Sequence, residues 1–147
     1  MRTVRITKEF AFEMAHALWG HDGPCKNIHG HSYQFAVTLI GTPIDQEGHP
    51  KEGMVMDFRD LKALINQEII HPFDHALVLP DNTHPVVLAS LDNQKLLVTP
   101  FAPTCENLIS YFAQKIMGQL PPHIKLHHLI LRETKTSYAE WYATDNE

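Results

Sequence analysis

The chain has 147 residues, of which 44% are hydrophobic and 20% are charged, a composition typical of one globular domain. Twelve Lys and Arg stand against seventeen Asp and Glu, and the resulting net charge of −5 argues against general binding to nucleic acid. Two cysteines exclude a disulfide framework, and no segment resembles a signal peptide or a membrane span, so we expect one cytoplasmic domain, residues 1–147, without membrane partners.

Alternating apolar and polar residues predict two strands near the start of the chain. The first spans residues 4–14, and His16 follows it on the apolar side. The second spans residues 33–39. A polar, glycine-rich loop over residues 19–27 separates the two, so we expect them to form an antiparallel pair.

Two helices are predicted from apolar residues spaced three and four apart. Asp57 is a good N-cap for the first helix, which ends near Pro72 and has an apolar stripe of Phe58, Leu61, Leu64, Ile65 and Ile69. Pro103 and Thr104 open the second helix, and Gly118 ends it.

The remaining segments complete an α+β pattern. Residues 73–103 predict a short helix or strand followed by a strand. Residues 124–133 form one alternation, with Leu129, Leu131 and Glu133 opposite Ile124 and Leu126, and residues 138–143 form a last strand. Strands grouped at both ends of the chain favour an antiparallel sheet with the helices on one face.

Histidine is unusually abundant, with eleven residues, and three of them share a pattern typical of a metal site. His29 and His31 are two apart on a predicted strand and face the same side, and His16 ends the strand before them. Three histidines with an open position are typical of catalytic zinc. Cys25 is either a fourth ligand or a thiolate acidified by the metal, while Cys105 is a rival thiol whose expected role is buried packing.

Two further groups carry possible acid–base or binding chemistry. Asp74 and His75 are adjacent and form either a proton-transfer pair or an ordinary loop ion pair. Glu133 is a carboxylate on an apolar face and therefore needs a partner. That partner is either a ligand with two N–H donors or one of two nearby lysines, Lys125 and Lys135.

Taken in order, these motifs resemble the 6-pyruvoyltetrahydropterin synthase family, which includes the bacterial 6-carboxytetrahydropterin synthases. The matching segments cover nearly the whole chain and are Phe10-x-Phe12-Glu13-x-Ala15-His16, Cys25-x3-His29-Gly30-His31-Ser32, Met54-Val55-Met56-Asp57-Phe58, Phe73-Asp74-His75, Pro103-Thr104-x-Glu106-Asn107 and Glu133-Thr134. Each motif is weak by itself, but all of them in family order are specific.

The resemblance implies the tunnelling fold and a set of site residues. In that fold a four-stranded antiparallel sheet carries two helices on one face, and subunits join their sheets into a barrel, as a trimer and then a hexamer, with active sites between subunits. The implied zinc ligands are His16, His29 and His31. The implied proton-transfer residues are Cys25 as the base, with Asp74 and His75. The implied pterin-binding residues are Glu133, Thr104 and Glu106.

The implied substrate is 7,8-dihydroneopterin triphosphate. In the carboxy branch, which supplies queuosine, the products are 6-carboxy-5,6,7,8-tetrahydropterin, acetaldehyde and triphosphate. The alternatives are a pyruvoyl synthase, which eliminates triphosphate without cleaving the side chain, and a zinc and pterin binder without turnover. Residues 79–102 are longer than in compact bacterial members, and the candidates for holding triphosphate are Lys26, Arg132 and Lys135.

Overall fold

The computed structural model describes residues 2–147, and its framework is one six-stranded sheet. The strands are β1 Val4–His16, β2 His29–Gly41, β3 Ala76–Pro80, β4 Leu96–Thr99, β5 Ile124–Arg132 and β6 Tyr138–Tyr142. Their order across the sheet is β4-β3-β1-β2-β5-β6. The pairs β1–β2, β2–β5 and β5–β6 are antiparallel, whereas the pairs β1–β3 and β3–β4 are parallel.

The predicted four-stranded antiparallel sheet is therefore incomplete, because β3 and β4 extend it to six strands and run parallel to β1. The prediction missed β3, whereas the short helix and the following strand predicted within residues 73–103 are confirmed as the helix Pro85–Ser90 and β4. Most of β3 is buried, so its sequence Ala-Leu-Val-Leu-Pro is continuously apolar and lacks the alternation that marks a half-exposed strand. A strand of this kind cannot be distinguished from a short buried helix by periodicity.

Within residues 2–147 the chain forms four α-helices, two of them long. These are α1 Phe58–Ile65, α2 His71–Phe73, α3 Pro85–Ser90 and α4 Cys105–Met117. A π-helical turn, Asn66–Ile70, joins α1 to α2, so the first predicted helix ends at Phe73, close to its predicted end at Pro72. The predicted Asp57 cap is confirmed, because Asp57 accepts from the Arg59 amide at 2.8 Å. Thr104, predicted to open the second helix, is its N-cap and accepts from the Asn107 amide at 3.1 Å.

The core lies between one face of the sheet and the two long helices. On β1 and β2 the buried residues alternate, and Phe12 and Phe35 pack their rings against Phe112 of α4, with centroids 6.3 and 5.3 Å apart. The other face of these strands carries polar side chains such as Glu13 and Ser32. No helix within residues 2–147 is long and apolar enough to cross a membrane.

A β-bulge in β5 changes which residues face the core. Thr38 of β2 pairs with His128, but the next residue, Leu39, pairs with Leu126, so His127 is an extra residue in β5. Ile124 and Leu126 before the bulge and Leu129 and Leu131 after it are all buried. The single alternation predicted over residues 124–133 is wrong because it placed these two pairs on opposite faces.

Candidate active site

Three histidines meet at one end of the β1–β2 pair. His16 and His29 are direct partners across the two strands, and His31 lies two residues further along β2. Their ring centroids are 4.6 to 5.3 Å apart, and each ring offers a nitrogen within 4.8 Å of the others. No other group of three or more His, Cys, Asp or Glu residues within 2–147 converges in this way.

Backbone carbonyls fix how two of the imidazoles are protonated. The Nδ1 atom of His16 lies 2.7 Å from the Pro103 carbonyl, and the Nδ1 atom of His29 lies 2.7 Å from the Asn27 carbonyl. Since a carbonyl only accepts, each Nδ1 carries the proton and each Nε2 presents a lone pair. These two Nε2 atoms face each other at 3.1 Å, an arrangement that repels unless a cation lies between them.

The surroundings also keep the imidazoles in the form that binds metal. His16 is 1% exposed, and burial lowers its pKa. Burial likewise lowers the pKa of His31. Neutral imidazole is the ligand form, so the donor set suits a borderline metal such as zinc and leaves a fourth position for another ligand.

Glu133 is the carboxylate nearest to these rings. Its Oε1 atom lies 3.5 Å from Nε2 of His31 and 3.6 Å from Nε2 of His16. The hydroxyl of Tyr33 donates to the same oxygen at 3.4 Å, and burial with the nearby carboxylate raises the pKa of Tyr33, which keeps it a neutral donor. Within residues 2–147 no lysine forms an ion pair with Glu133, so the predicted alternative partners Lys125 and Lys135 are wrong for this structure.

Glu133 also lines a cleft of about 450 Å³ together with Glu106. The cleft residues are Cys105, Glu106, Glu133, Ser137, Tyr138, Ala139 and Glu140. Three carboxylates in one cleft, those of Glu106, Glu133 and Glu140, suit a ligand that presents N–H donors. Thr104, predicted beside them, uses its hydroxyl as the α4 cap, and direct substrate contact by Thr104 stays a prediction.

The two cysteines have different surroundings. Cys105 is buried, its thiol donates to the Leu131 carbonyl at 3.3 Å, and burial followed by the charge of Glu133 raises its pKa to about 11. Cys105 is therefore an inert packing residue. Cys25 is partly exposed in a 3₁₀ turn, Pro24–Lys26, and lies outside the cluster of histidine nitrogens, an arrangement that favours a free thiol over a fourth ligand.

Asp74 and His75 form a hydrogen-bonded pair at the start of β3. The Nδ1 atom of His75 lies 3.0 Å from Oδ1 of Asp74, which also accepts from the Glu13 amide at 2.9 Å. This backbone hydrogen bond is the main reason that the pKa of Asp74 is lowered. Within residues 2–147 no hydrogen bond joins Cys25 to either residue, so the assembly of these three residues into one site stays a prediction.

The residues predicted to hold triphosphate are not gathered into one site. Arg132 donates to the Lys135 carbonyl at 3.1 Å and stacks over Tyr138 at 4.2 Å, so these residues share the β5–β6 hairpin. Lys26 belongs to the turn beside Cys25.

Tyr33 is a site residue that the sequence did not predict. Its position two residues after His31, on the same strand face, is a signal that could have identified it.

Comparison with known proteins assigns this arrangement to one family. The family model described as 6-pyruvoyl tetrahydropterin synthase matches residues 5–144. The 6-carboxy-5,6,7,8-tetrahydropterin synthase of Haemophilus influenzae is 36% identical over 141 residues, covering 93% of this chain and 97% of that protein. The enzyme of the same name from Synechocystis is 31% identical, covering 94% and 92%. The structure of Caenorhabditis elegans 6-pyruvoyl tetrahydropterin synthase superposes with a TM-score of 0.70 at 24% identity, covering 97% of each chain.

Proposed function

This chain belongs to the 6-pyruvoyl tetrahydropterin synthase family and is a pterin lyase, and we propose that its reaction is that of a zinc-dependent 6-carboxy-5,6,7,8-tetrahydropterin synthase. The proposed reaction takes 7,8-dihydroneopterin triphosphate and water to 6-carboxy-5,6,7,8-tetrahydropterin, acetaldehyde and triphosphate. We further propose that it acts in the cytoplasm and supplies queuosine and other 7-deazapurines. The observation that carries the proposal is the convergence of three imidazoles beside the carboxylate of Glu133.

The proposed metal ligands are the Nε2 atoms of His16, His29 and His31. Two of them have their other ring nitrogen tied to a backbone carbonyl, which holds the rings in place before any metal arrives. A bound zinc ion would supply Lewis-acid polarisation of the substrate side-chain oxygens. Three protein ligands leave room for such a substrate oxygen, as in other catalytic zinc sites.

Glu133 and Glu106 are the proposed pterin-binding residues. The amino group and the neighbouring ring N–H of a pterin form a pair of donors that one carboxylate can accept together. Glu133 lines the cleft with Glu106 and is 25% exposed, so its carboxylate is open to a ligand from that side. The pterin would then replace the contacts that Glu133 makes with the histidines.

Cys25 is the proposed base, with Asp74 and His75 as proton carriers. The thiolate would remove a proton from the side-chain carbon next to the ring, and the electron pair would move into the pterin ring. Because no hydrogen bond links Cys25 to Asp74 or His75 within one chain, we propose that the pair comes from a neighbouring subunit of a trimer or hexamer. The polar, helix-free face of the sheet is the proposed lining of the shared barrel.

Product analysis tests the proposal and separates its alternatives. Purified protein loaded with zinc is incubated with 7,8-dihydroneopterin triphosphate, and the pterins are identified by mass spectrometry while acetaldehyde is measured with alcohol dehydrogenase and NADH. We expect one acetaldehyde for each 6-carboxytetrahydropterin. A pyruvoyl product without acetaldehyde would instead establish the pyruvoyl synthase, and pterin binding without turnover would establish a binding protein.

A further inference from the structure

The backbone at His75 has an unusual conformation. Its φ angle is +62°, and among residues 2–147 no other non-glycine residue has a positive φ. Such a conformation costs about 1–3 kcal/mol and persists only where neighbouring contacts impose it. The contacts on the His75 side of the turn come from Glu13 of β1, whose carbonyl accepts from the His75 amide at 2.5 Å and whose amide donates to Asp74.

Lys95 supplies the contacts on the other side of the turn. Its Nζ atom donates to the carbonyl of His71 at 2.5 Å and to the carbonyl of Asp74 at 2.6 Å. These carbonyls lie at the end of α2, where helix geometry leaves acceptors without partners and a positive charge is favourable. The carbonyl of Lys95 itself accepts from the Leu77 amide at 2.9 Å, so both ends of this residue are anchored.

The imidazole of His75 depends on this backbone for its orientation. Its side chain is 75% exposed, and its hydrogen-bonding contact is with Asp74. The ring lines a cleft of about 420 Å³ together with His31 and Lys95. With so little side-chain packing, the direction of the ring follows from the backbone angles of His75 and the position of Asp74.

We propose that Lys95 is a positioning residue that fixes the Asp74–His75 turn and so aims His75 for proton transfer. The inference rests on the proposed function, and it gives residues 79–102 a role, since that segment supplies Lys95, the residue directly before β4. Lys95 holds the carbonyls of His71 and Asp74, which directly precede the strained residue His75, and this role needs no contact with substrate.

The test compares Lys95→Met with the parent zinc-loaded protein. We expect kcat to fall about 10- to 100-fold with KM and bound zinc unchanged, because misplacing a catalytic group by about 1 Å costs this much. Hydrogen exchange of the His75 amide should become faster by a similar factor. Lys95→Arg keeps a charged donor and should restore much of both values.

Val98→Ala is the matched control, because Val98 lies on β4, is 44% exposed and leaves the contacts of Lys95 intact. Parent values of kcat and His75 exchange in Lys95→Met would overturn the proposal, as would equal losses in Val98→Ala. If the parent protein shows no turnover, the proposed function fails, and the exchange of the His75 amide alone then decides whether Lys95 holds the turn.

Discussion

The Oε1 atom of Glu133 lies 3.5 Å from Nε2 of His31, which joins the candidate pterin site to the candidate metal site. The same oxygen accepts a hydrogen bond from Tyr33, so the carboxylate is held between a neutral donor and the imidazoles. We therefore expect a change at Glu133 to affect substrate binding first, because His16 and His29 keep their own backbone partners.

Glu133→Gln should weaken substrate binding and leave the metal in place. The amide cannot accept both N–H donors of the pterin edge, and charged hydrogen bonds are worth about 1.5–3 kcal/mol, so we expect kcat/KM to fall about 10- to 100-fold. Steady-state kinetics and elemental analysis measure the two effects. Glu140→Gln in the same cleft is the control, and an unchanged KM in Glu133→Gln would exclude the pterin-binding role.

His29→Ala should lose the metal. Even loss of an outer partner of a metal ligand lowers affinity 10- to 100-fold, so removal of a ligand should weaken zinc binding by more than about 100-fold. Bound zinc is measured by elemental analysis after dialysis against a weak chelator. His21→Ala, an exposed histidine in the loop after β1, should keep the parent zinc content. Full zinc content in His29→Ala would show that His29 is not a ligand.

Cys25→Ala should remove catalysis and keep binding. A positioned base contributes roughly 10²- to 10⁴-fold, and we expect kcat to fall within that range while bound zinc stays the same. Cys105→Ala serves as the control, since its buried thiol has a raised pKa and should affect stability more than kcat. Turnover at the parent rate in Cys25→Ala would mean that another group is the base.

Thr104→Ala should act on stability. Loss of the hydroxyl that caps α4 costs about 1 kcal/mol, which urea unfolding detects. Thr104→Ser keeps a capping hydroxyl and should retain most of the stability. A rise in KM for Thr104→Ala at unchanged stability would instead show that Thr104 contacts the substrate.

The bulge histidines should make stability depend on pH. The Nδ1 atoms of His127 and His128 lie 2.7 Å apart, and burial, with the charge of Arg5, lowers the pKa of both. Their contribution to the free energy of unfolding is fully present above a pH of about 6.5. It decreases as the pH falls below that value, because the unfolded chain then takes up protons more readily than the folded chain. Urea midpoints of zinc-loaded protein at pH 7.5 and 5.5 should differ less in His128→Gln than in the parent. An equal difference would contradict this role.

Local sequence patterns were sufficient to predict features that depend on a single strand or helix. His29 and His31 share a face because strand side chains alternate, and Asp57 and Thr104 cap helices because their oxygens reach the amides two or three residues on. The motif order also identified the family, which the family model confirms.

Long-range pairing decided the rest. Nothing in the alternation of residues 124–133 shows the extra residue at His127, because a bulge is defined by the register with β2. The pairing of the short strands β3 and β4 is likewise set by register and does not show in the local pattern. The contacts of Lys95 are equally hidden, because the carbonyls that it contacts are far from it in sequence. The sequence was enough to predict which side chains carry the chemistry, whereas the folded chain established which of them touch, since contacts between distant segments follow from sheet register and packing.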